Sequence, residues 1–443
     1  MTIATDVDLE LLKATSHLTT EPTDPLEKTV RAFQRWLHLP DHGALLAVLA
    51  TVAANRLEGD PVWLVLVGPP GGGKSELLGS LGALEDVHPV ATLTEASLLS
   101  GVPKKEHAND AKGGLLREIG DFGILVCKDF GSVLNMNRDS RQQVLAALRE
   151  VYDGSWTRYV GTSGGQKLSW AGKVGLVAGC TPIIDRHASV MGAMGERFIL
   201  FRLPDVDGEE QAHRALEHAG KEQAMRSELA AAVAELLDSN VAEPRERDDQ
   251  DANRLVSLAT LVVCCRSAVE RDSYSREIEL IPGSEAPTRL VVVLARLLEG
   301  LDAIGADRAA AWPVITKAAL DSIPQIRRVA IENLFAAEWA TTTEVAEAVS
   351  YPTTTARRAL EDLTAHGVTV KRSNGQGKAD SWALTEFARR HYTAAMTFPE
   401  KSVSRLSITT PSPSESDISG TVDSGELDRL EAAYHDAMGE ATS

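Results

Sequence analysis

The residues with the plainest chemistry are Gly68, Pro69, Pro70, Gly71, Gly72, Gly73, Lys74 and Ser75, which follow the apolar run "VWLVLV" and precede "ELLGSLG". Glycine tolerates left-handed backbone, so successive N–H groups of such a loop can turn toward one anion. The helix behind the loop adds its positive end. Lys74 supplies a point charge for the β and γ phosphates of a nucleotide, and the Ser75 hydroxyl is a hard oxygen ligand for Mg²⁺. Glu76 borders the same cradle. The spacing G-x-x-x-x-G-K-S between a strand and a helix predicts an ATP site with Mg²⁺ as companion ion.

Such a site also needs an acid at the end of a neighbouring strand, for the metal or the attacking water. The segment "GILVCKDFGSVL" offers Asp129, between Lys128 and Phe130. If the strand ends at Cys127, Lys128 takes the metal-side position and Asp129 the water-activating one. If it runs one residue longer, Asp129 is the metal-side acid, and Glu95 in "ATLTEASLL" is the available base.

These groups need a sheet to hold them. Between Val62 and Pro204, the apolar runs "VWLVLV", "HPVATLT", "FGILVC", "KVGLVAG" and "RFILFRL" alternate with helical ones, which predicts a largely parallel sheet covered on both faces. Helical periodicity precedes it in "PLEKTVRAFQRWLHL" and "HGALLAVLATVAANRL". The organisation reads as a disordered N-terminus (1–24), N-terminal helices (25–59), an α/β core (60–204), a helical lid (205–322), a C-terminal unit (323–396) and a disordered acidic tail (397–443). In the tail, Leu427, Leu430, Tyr434 and Met438 share one helical face, a candidate docking element for a protein partner.

The order of these pieces resembles an AAA+ ATPase, especially the branch containing the minichromosome maintenance helicases, over about residues 60 to 300. The resemblance implies a P-loop NTPase fold with a helical lid. It makes "RYVGTSGGQKLSWAGK" a pre-sensor hairpin lining a central pore, with Lys167 and Lys173 as DNA contacts. It puts Thr181 at the sensor position near the γ-phosphate, Arg197 of "MGERFILFRLP" at the arginine finger, and Arg289 at the second sensor. A finger acting on a neighbour's site implies a homo-oligomer, most often a hexameric ring or a helical assembly.

The C-terminal unit points to what the ATPase acts on. Three short helical runs followed by "VTVKRSNGQGKADSWALT" form a winged-helix pattern. From Tyr351 to Lys378 there are five basic residues, Arg357, Arg358, Lys371, Arg372 and Lys378, against two acidic ones, where the whole chain of 443 residues carries −18. Arg357 and Arg358 lie on the recognition helix and the others on the wing, positioned for DNA phosphates. Lys104, Lys105 and Lys112 are candidates for a second contact. The acidic total argues against a general polyanion binder. With no apolar run of spanning length, no signal-peptide pattern and four cysteines lacking metal-ligand spacing, the expectation is a cytoplasmic protein with reduced thiols. The combined expectation is a helicase-like motor or helicase loader in replication of a bacterial or mobile-element genome. A DNA-bound nucleotide switch and a protein-remodelling ATPase are the rivals.

Overall fold

The computed structural model describes residues 24–100, 113–160, 166–188, 197–238, 241–272 and 274–396. Lys104, Lys105, Lys112, residues 1–23 and the tail from 397 with its apolar face lie outside them. All described residues belong to the first of two units, Met1–Phe398.

Helices α1 (Pro25–Trp36) and α2 (Gly43–Arg56) lead into β1 (Trp63–Val67) and α3 (Lys74–Gly79). Then come β2 (Val87–Val90), α4 (Glu95–Leu98), α5 (Leu115–Ile119), β3 (Phe122–Cys127), α6 (Gly131–Leu134) and α7 (Arg138–Tyr152). The antiparallel hairpin β4 (Ser155–Val160) and β5 (Gln166–Ala171) precedes β6 (Lys173–Cys180) and β7 (Phe198–Arg202). Strands β1, β2, β3, β6 and β7 fall in the five apolar runs and form one parallel sheet in the order β2-β3-β6-β1-β7.

Alternation explains why these runs are apolar throughout. Leu64, Leu66, Ile124, Val126, Val177, Ile199 and Phe201 pack with α2 and the later helices. Trp63, Val65, Leu125, Leu176, Ala178 and Phe198 pack on the opposite face with α7 and the hairpin. Both faces of the inner strands β1, β3 and β6 are covered, so few positions there are free to be polar. Register places Val67 beside Cys180 and Arg202, with Cys127 beside Ala178, so four strands end along one edge. From that edge the chain leaves β1 toward β2 but leaves β6 toward β7. The connections diverge between β1 and β6 and open a crevice there, where open α/β sheets bind ligands.

The chain then turns helical through α8 (Gly208–Glu217), α9 (Glu222–Asp238), α10 (Asp249–Arg266), α11 (Thr288–Ala303) and α12 (Arg308–Asp321). A two-strand ribbon, β8 (Glu270–Arg271) and β9 (Ile278–Leu280), interrupts it. The last segment is α13 (Gln325–Ala336), β10 (Ala340–Thr341), α14 (Thr342–Ala348), α15 (Thr353–Ala365), β11 (Thr369–Arg372), β12 (Ser381–Leu384) and α16 (Glu386–Met396). Its strands form an antiparallel sheet in the order β10-β12-β11.

Two contacts tie the helical lobe to the sheet. The end of α12 covers the edge of β7: the Arg202 N–H donates to Asp321 Oδ2 at 2.7 Å and the Leu200 N–H to Ser322 Oγ at 3.0 Å. Side chains thereby satisfy donors that would otherwise invite another strand. Helix α2, apolar and buried all round, crosses α11 at Gly300, where an added Cβ would run into the Ala50 carbonyl. Gly300→Ala therefore forces the two backbones apart and is expected to cost about 3 kcal/mol. A lowered urea midpoint with an unchanged slope would show it.

Candidate functional site

The loop after β1 is shaped by its own sequence. Gly71 and Gly73 have φ of 78° and 83°, left-handed values that an L side chain adopts only with strain. The Gly68 N–H donates to the Cys180 carbonyl at 3.1 Å, fixing the loop to the end of β6, and the Gly72 N–H closes a turn onto Pro69. Glu76 and Leu77 N–H groups bond back to the Gly73 carbonyl and start α3.

Lys74 is only 9% exposed, and its ammonium donates to the carbonyls of Gly68 at 2.8 Å and Pro69 at 2.7 Å. Burial pulls its pKa below the usual lysine range, offset in part by the Cys180 and Asp129 groups. No described carboxylate forms an ion pair with it; two carbonyl dipoles hold a largely dehydrated cation. An anion delivered to the loop would relieve that desolvation.

Strand β3 ends at Cys127, the shorter of the two strand lengths open in the sequence. Lys128 is the first residue past the strand and Asp129 the second, both exposed. Asp129 acts electrostatically on Lys74, Cys127 and Cys180, so it faces the crevice. Burial pushes both thiols up to about 11, and they stand there as neutral walls. Thr181 follows Cys180 at the crevice floor and caps the short helix Pro182–His187 with its backbone only. Ser75 is exposed on the first turn of α3.

A divalent ion would find the Ser75 hydroxyl and the Asp129 carboxylate here, with an ammonium at the first position past β3. Among the described residues no group of three or more His, Cys, Asp or Glu is arranged to hold a metal. Those two oxygens would leave the rest of an octahedral shell to phosphate and water oxygens, so a Mg²⁺ ion would arrive with the nucleotide.

Beyond the loop the crevice widens into a cavity of about 480 Å³ that includes Pro69, Pro70, Gly71, Gly72, Gly73 and Glu76. Trp36, Leu39, Leu203 and Met225 give it apolar walls, and His38, Arg214 and His218 give it polar ones. One end thus suits phosphates and the other an uncharged ring system of nucleoside size. Sequence motifs missed this wall, because it comes from α1, α8 and α9; the aromatic Trp36 closing an amphipathic helix before the loop was the only signal.

Glu76 is held by Arg226 of α9 in a two-pronged pair at 2.7 and 3.0 Å. The helical lobe thus brings Arg226 to the loop helix and Arg214 to the cavity beside it, but not Arg289. Arg289 pairs with Glu285 at 3.2 Å and acts on the Tyr152 phenol, at the opposite edge of the sheet. Arg197 also lies at that edge, buried, 2.6 Å from Asp153 and over the Tyr152 ring. The five residues of β7 separate it from the loop edge by about 17 Å. Glu95 joins Arg158 at 3.0 Å and lines a second cavity of about 380 Å³ with Arg197 and Asp153. The structure brings Lys74, Ser75, Asp129 and Thr181 together and leaves Glu95, Arg197 and Arg289 elsewhere.

The basic candidates also divide. Lys173 does not sit on the hairpin: it opens β6, donates to the Leu57 carbonyl at 2.6 Å, and burial pulls it down to about 8. Lys167 is exposed on β5 opposite Tyr159, itself 74% exposed. Arg357 and Arg358 are exposed on the first turns of α15, while Asp362 farther along is tied up by Arg271 and Arg327. Lys371 is neutralised by Asp380 at 2.8 Å; Arg372 lies over Trp339, and Lys378 is exposed at the turn.

No family model matches the chain, and no curated protein does. Among solved structures it is similar to the S. cerevisiae Hsp104-ADP complex, at 14% identity over 80% of this chain and 51% of that one, with a TM-score of 0.25. The chain thus spans about half the length of that protein.

The arrangement around Lys74 makes a direct claim. Lys74→Ala removes the loop's only cation while leaving its glycine geometry in place. Nucleotide affinity should fall about 10- to 100-fold or more. Calorimetric titration with ADP checks this, with an unchanged melting curve as control.

Proposed function

We propose that this chain is an ATP-binding and ATP-hydrolysing AAA+-type protein that acts on DNA, as a helicase-like motor or helicase loader in replication of a bacterial or mobile-element genome. The observation that carries the nucleotide assignment is the dehydrated Lys74 ammonium, held by loop carbonyls at the divergence of β1 and β6 and facing a nucleoside-sized cavity. In this assignment the loop N–H groups and Lys74 hold the phosphates, and Thr181 donates to the terminal one. Asp129 takes the proton of the attacking water. The cavity walls orient the base.

The three helices and antiparallel strands of the last segment support a winged-helix assignment. Its exposed Arg357, Arg358, Arg372 and Lys378 form the DNA surface, Arg357 and Arg358 from the helix and the other two from the wing. Arg197 lies too far along β7 to reach its own loop, so a contact with a γ-phosphate comes from a neighbouring copy. A ring or helical oligomer follows from that role. One observation favours the switch as a second reading: a lysine, not an acid, stands first beyond β3.

Steady-state ATP turnover with and without single- and double-stranded DNA separates the two. A motor is stimulated and displaces strands, whereas a switch binds DNA without stimulation. Neutralising Arg357, Arg358, Arg372 and Lys378 together should flatten the slope of log affinity against log salt by about three units, read by fluorescence anisotropy. Lys371→Ala should barely change it, because Asp380 already balances that charge. An unchanged slope in the fourfold variant would move the C-terminal unit to protein docking.

For the oligomer, subunits carrying Arg197→Ala should lose turnover by about 1000-fold yet regain part of it when mixed with Lys74→Ala subunits. Mixed assemblies that stay inactive would leave Arg197 as the partner of Asp153 alone.

A further inference from the structure

The ribbon β8–β9 interrupts the helical lobe, yet its turn is built against the C-terminal segment. One guanidinium makes the junction. Arg271 Nη1 donates to the Arg276 carbonyl at 2.8 Å, and its Nη2 donates to the Arg358 carbonyl on α15 at 3.1 Å. Those two carbonyl oxygens, far apart in the chain, are therefore within about 8 Å of each other. Arg271 also engages Glu361 at 3.1 Å and Asp362 at 2.6 Å. The Asp272 carboxylate is occupied too, accepting the N–H groups of Tyr274 at 2.9 Å and Ser275 at 2.6 Å. The turn is thus held from both sides. At its tip stand Tyr274, 96% exposed, and Arg276, exposed and without an ion-pair partner among the described residues. Arg276 has φ of 63°, a left-handed value for which glycine or asparagine is the usual choice. A turn kept for its shape alone would carry one of those.

We propose that Arg276 is a further DNA contact: from the ribbon it joins Arg357 and Arg358 in holding the phosphates of duplex DNA, and the Tyr274 hydroxyl donates to the same backbone. This rests on the DNA reading given above. A guanidinium suits the place, because its planar fork takes two phosphate oxygens at once and stays charged at any working pH. The ribbon's Glu270, Glu277 and Glu279 are also exposed, so the ribbon as a whole does not attract phosphate. Arg276 does so only at the tip, where the arginines of α15 add their field. The contact belongs to the helical lobe, between α10 and α11, and not to the C-terminal segment.

The test is fluorescence anisotropy of the full chain with a labelled duplex oligonucleotide over a salt series, on Arg276→Gly, Arg276→Lys and Tyr274→Phe. Glycine adopts this backbone without strain, so Arg276→Gly should melt close to the wild type. Its affinity should nonetheless fall about five- to tenfold at about 0.1 M salt, and the slope of log affinity against log salt should flatten by about one unit. Arg276→Lys should keep the slope, and Tyr274→Phe should lose about two- to fivefold with the slope unchanged. Wild-type affinity and slope in Arg276→Gly overturn the proposal and leave the DNA reading standing. A weakened affinity with an unchanged slope in that variant overturns it too, because no phosphate contact has then been lost. No duplex binding by the folded wild type removes the DNA reading itself, and the role of Arg276 with it.

Discussion

The architecture turns on Arg202, the last residue of β7. Its guanidinium forms a two-pronged pair with Asp185 at 2.8 and 2.9 Å, and its N–H donates to Asp321. Asp321 is fully buried and also faces Lys317 and Arg328. Asp185 sits four residues after Thr181 and accepts the Gln325 N–H, at the start of α13. One knot of charge thus joins the edge strand, the segment leaving β6, the end of α12 and the first helix of the C-terminal segment. Removing Asp185 leaves the buried Arg202 guanidinium with backbone carbonyls alone, a buried charge without its counter-ion, which costs several kcal/mol. The crevice and the C-terminal segment are thereby held in one packed body. Arg327 reinforces this by donating to the Cys265 and Ser267 carbonyls from α13, as do the apolar side chains shared between α10 and α16.

That constraint gives the crevice fixed walls, and Lys74 is stored within them. Its two carbonyl partners solvate the charge only in part, so the site is preorganised for an anion rather than satisfied without one. The neutral thiols of Cys127 and Cys180 keep the floor apolar around Asp129. A carboxylate beside a dehydrated cation, with a cavity leading away, is an arrangement that accepts a charged group attached to an uncharged one.

The sequence made the sheet legible because its inner strands are buried on both faces, so "FGILVC" and "VGLVAG" read as uninterrupted apolar runs. The glycine loop was legible for a local reason: Gly71 and Gly73 need left-handed backbone, and that requirement shows in residue type alone. The end of β3 at Cys127 was not decided by pattern, since Lys128 is as compatible with a last strand position as with a loop. Side chains brought from afar were invisible. Arg226 reaches Glu76 across 150 positions, and nothing in "EQAMRSEL" distinguishes it from Arg289 at a helix start. Arg289 and Lys173 were misplaced for the same reason: one-dimensional order does not say at which edge of a parallel sheet a helix or strand begins. Lys173 opens β6 at the edge opposite the loop, where the Leu57 carbonyl holds it.

The same ion pairs rank the parts by how readily they move. The Glu76–Arg226 pair joins α9 to the loop helix from the surface, with the arginine side chain 62% exposed, and such pairs contribute 1 kcal/mol or less, about the scale of thermal energy. The Arg202–Asp185–Asp321 knot is buried and costs several times more to open. A ligand shifts a conformational equilibrium only by its differential affinity for the two states. Phosphates arriving at the loop compete with Glu76 for nearby cations, so the contact they weaken first is the exposed one. The Arg202 knot, by contrast, ties α12 to β7 and the start of α13 to Asp185.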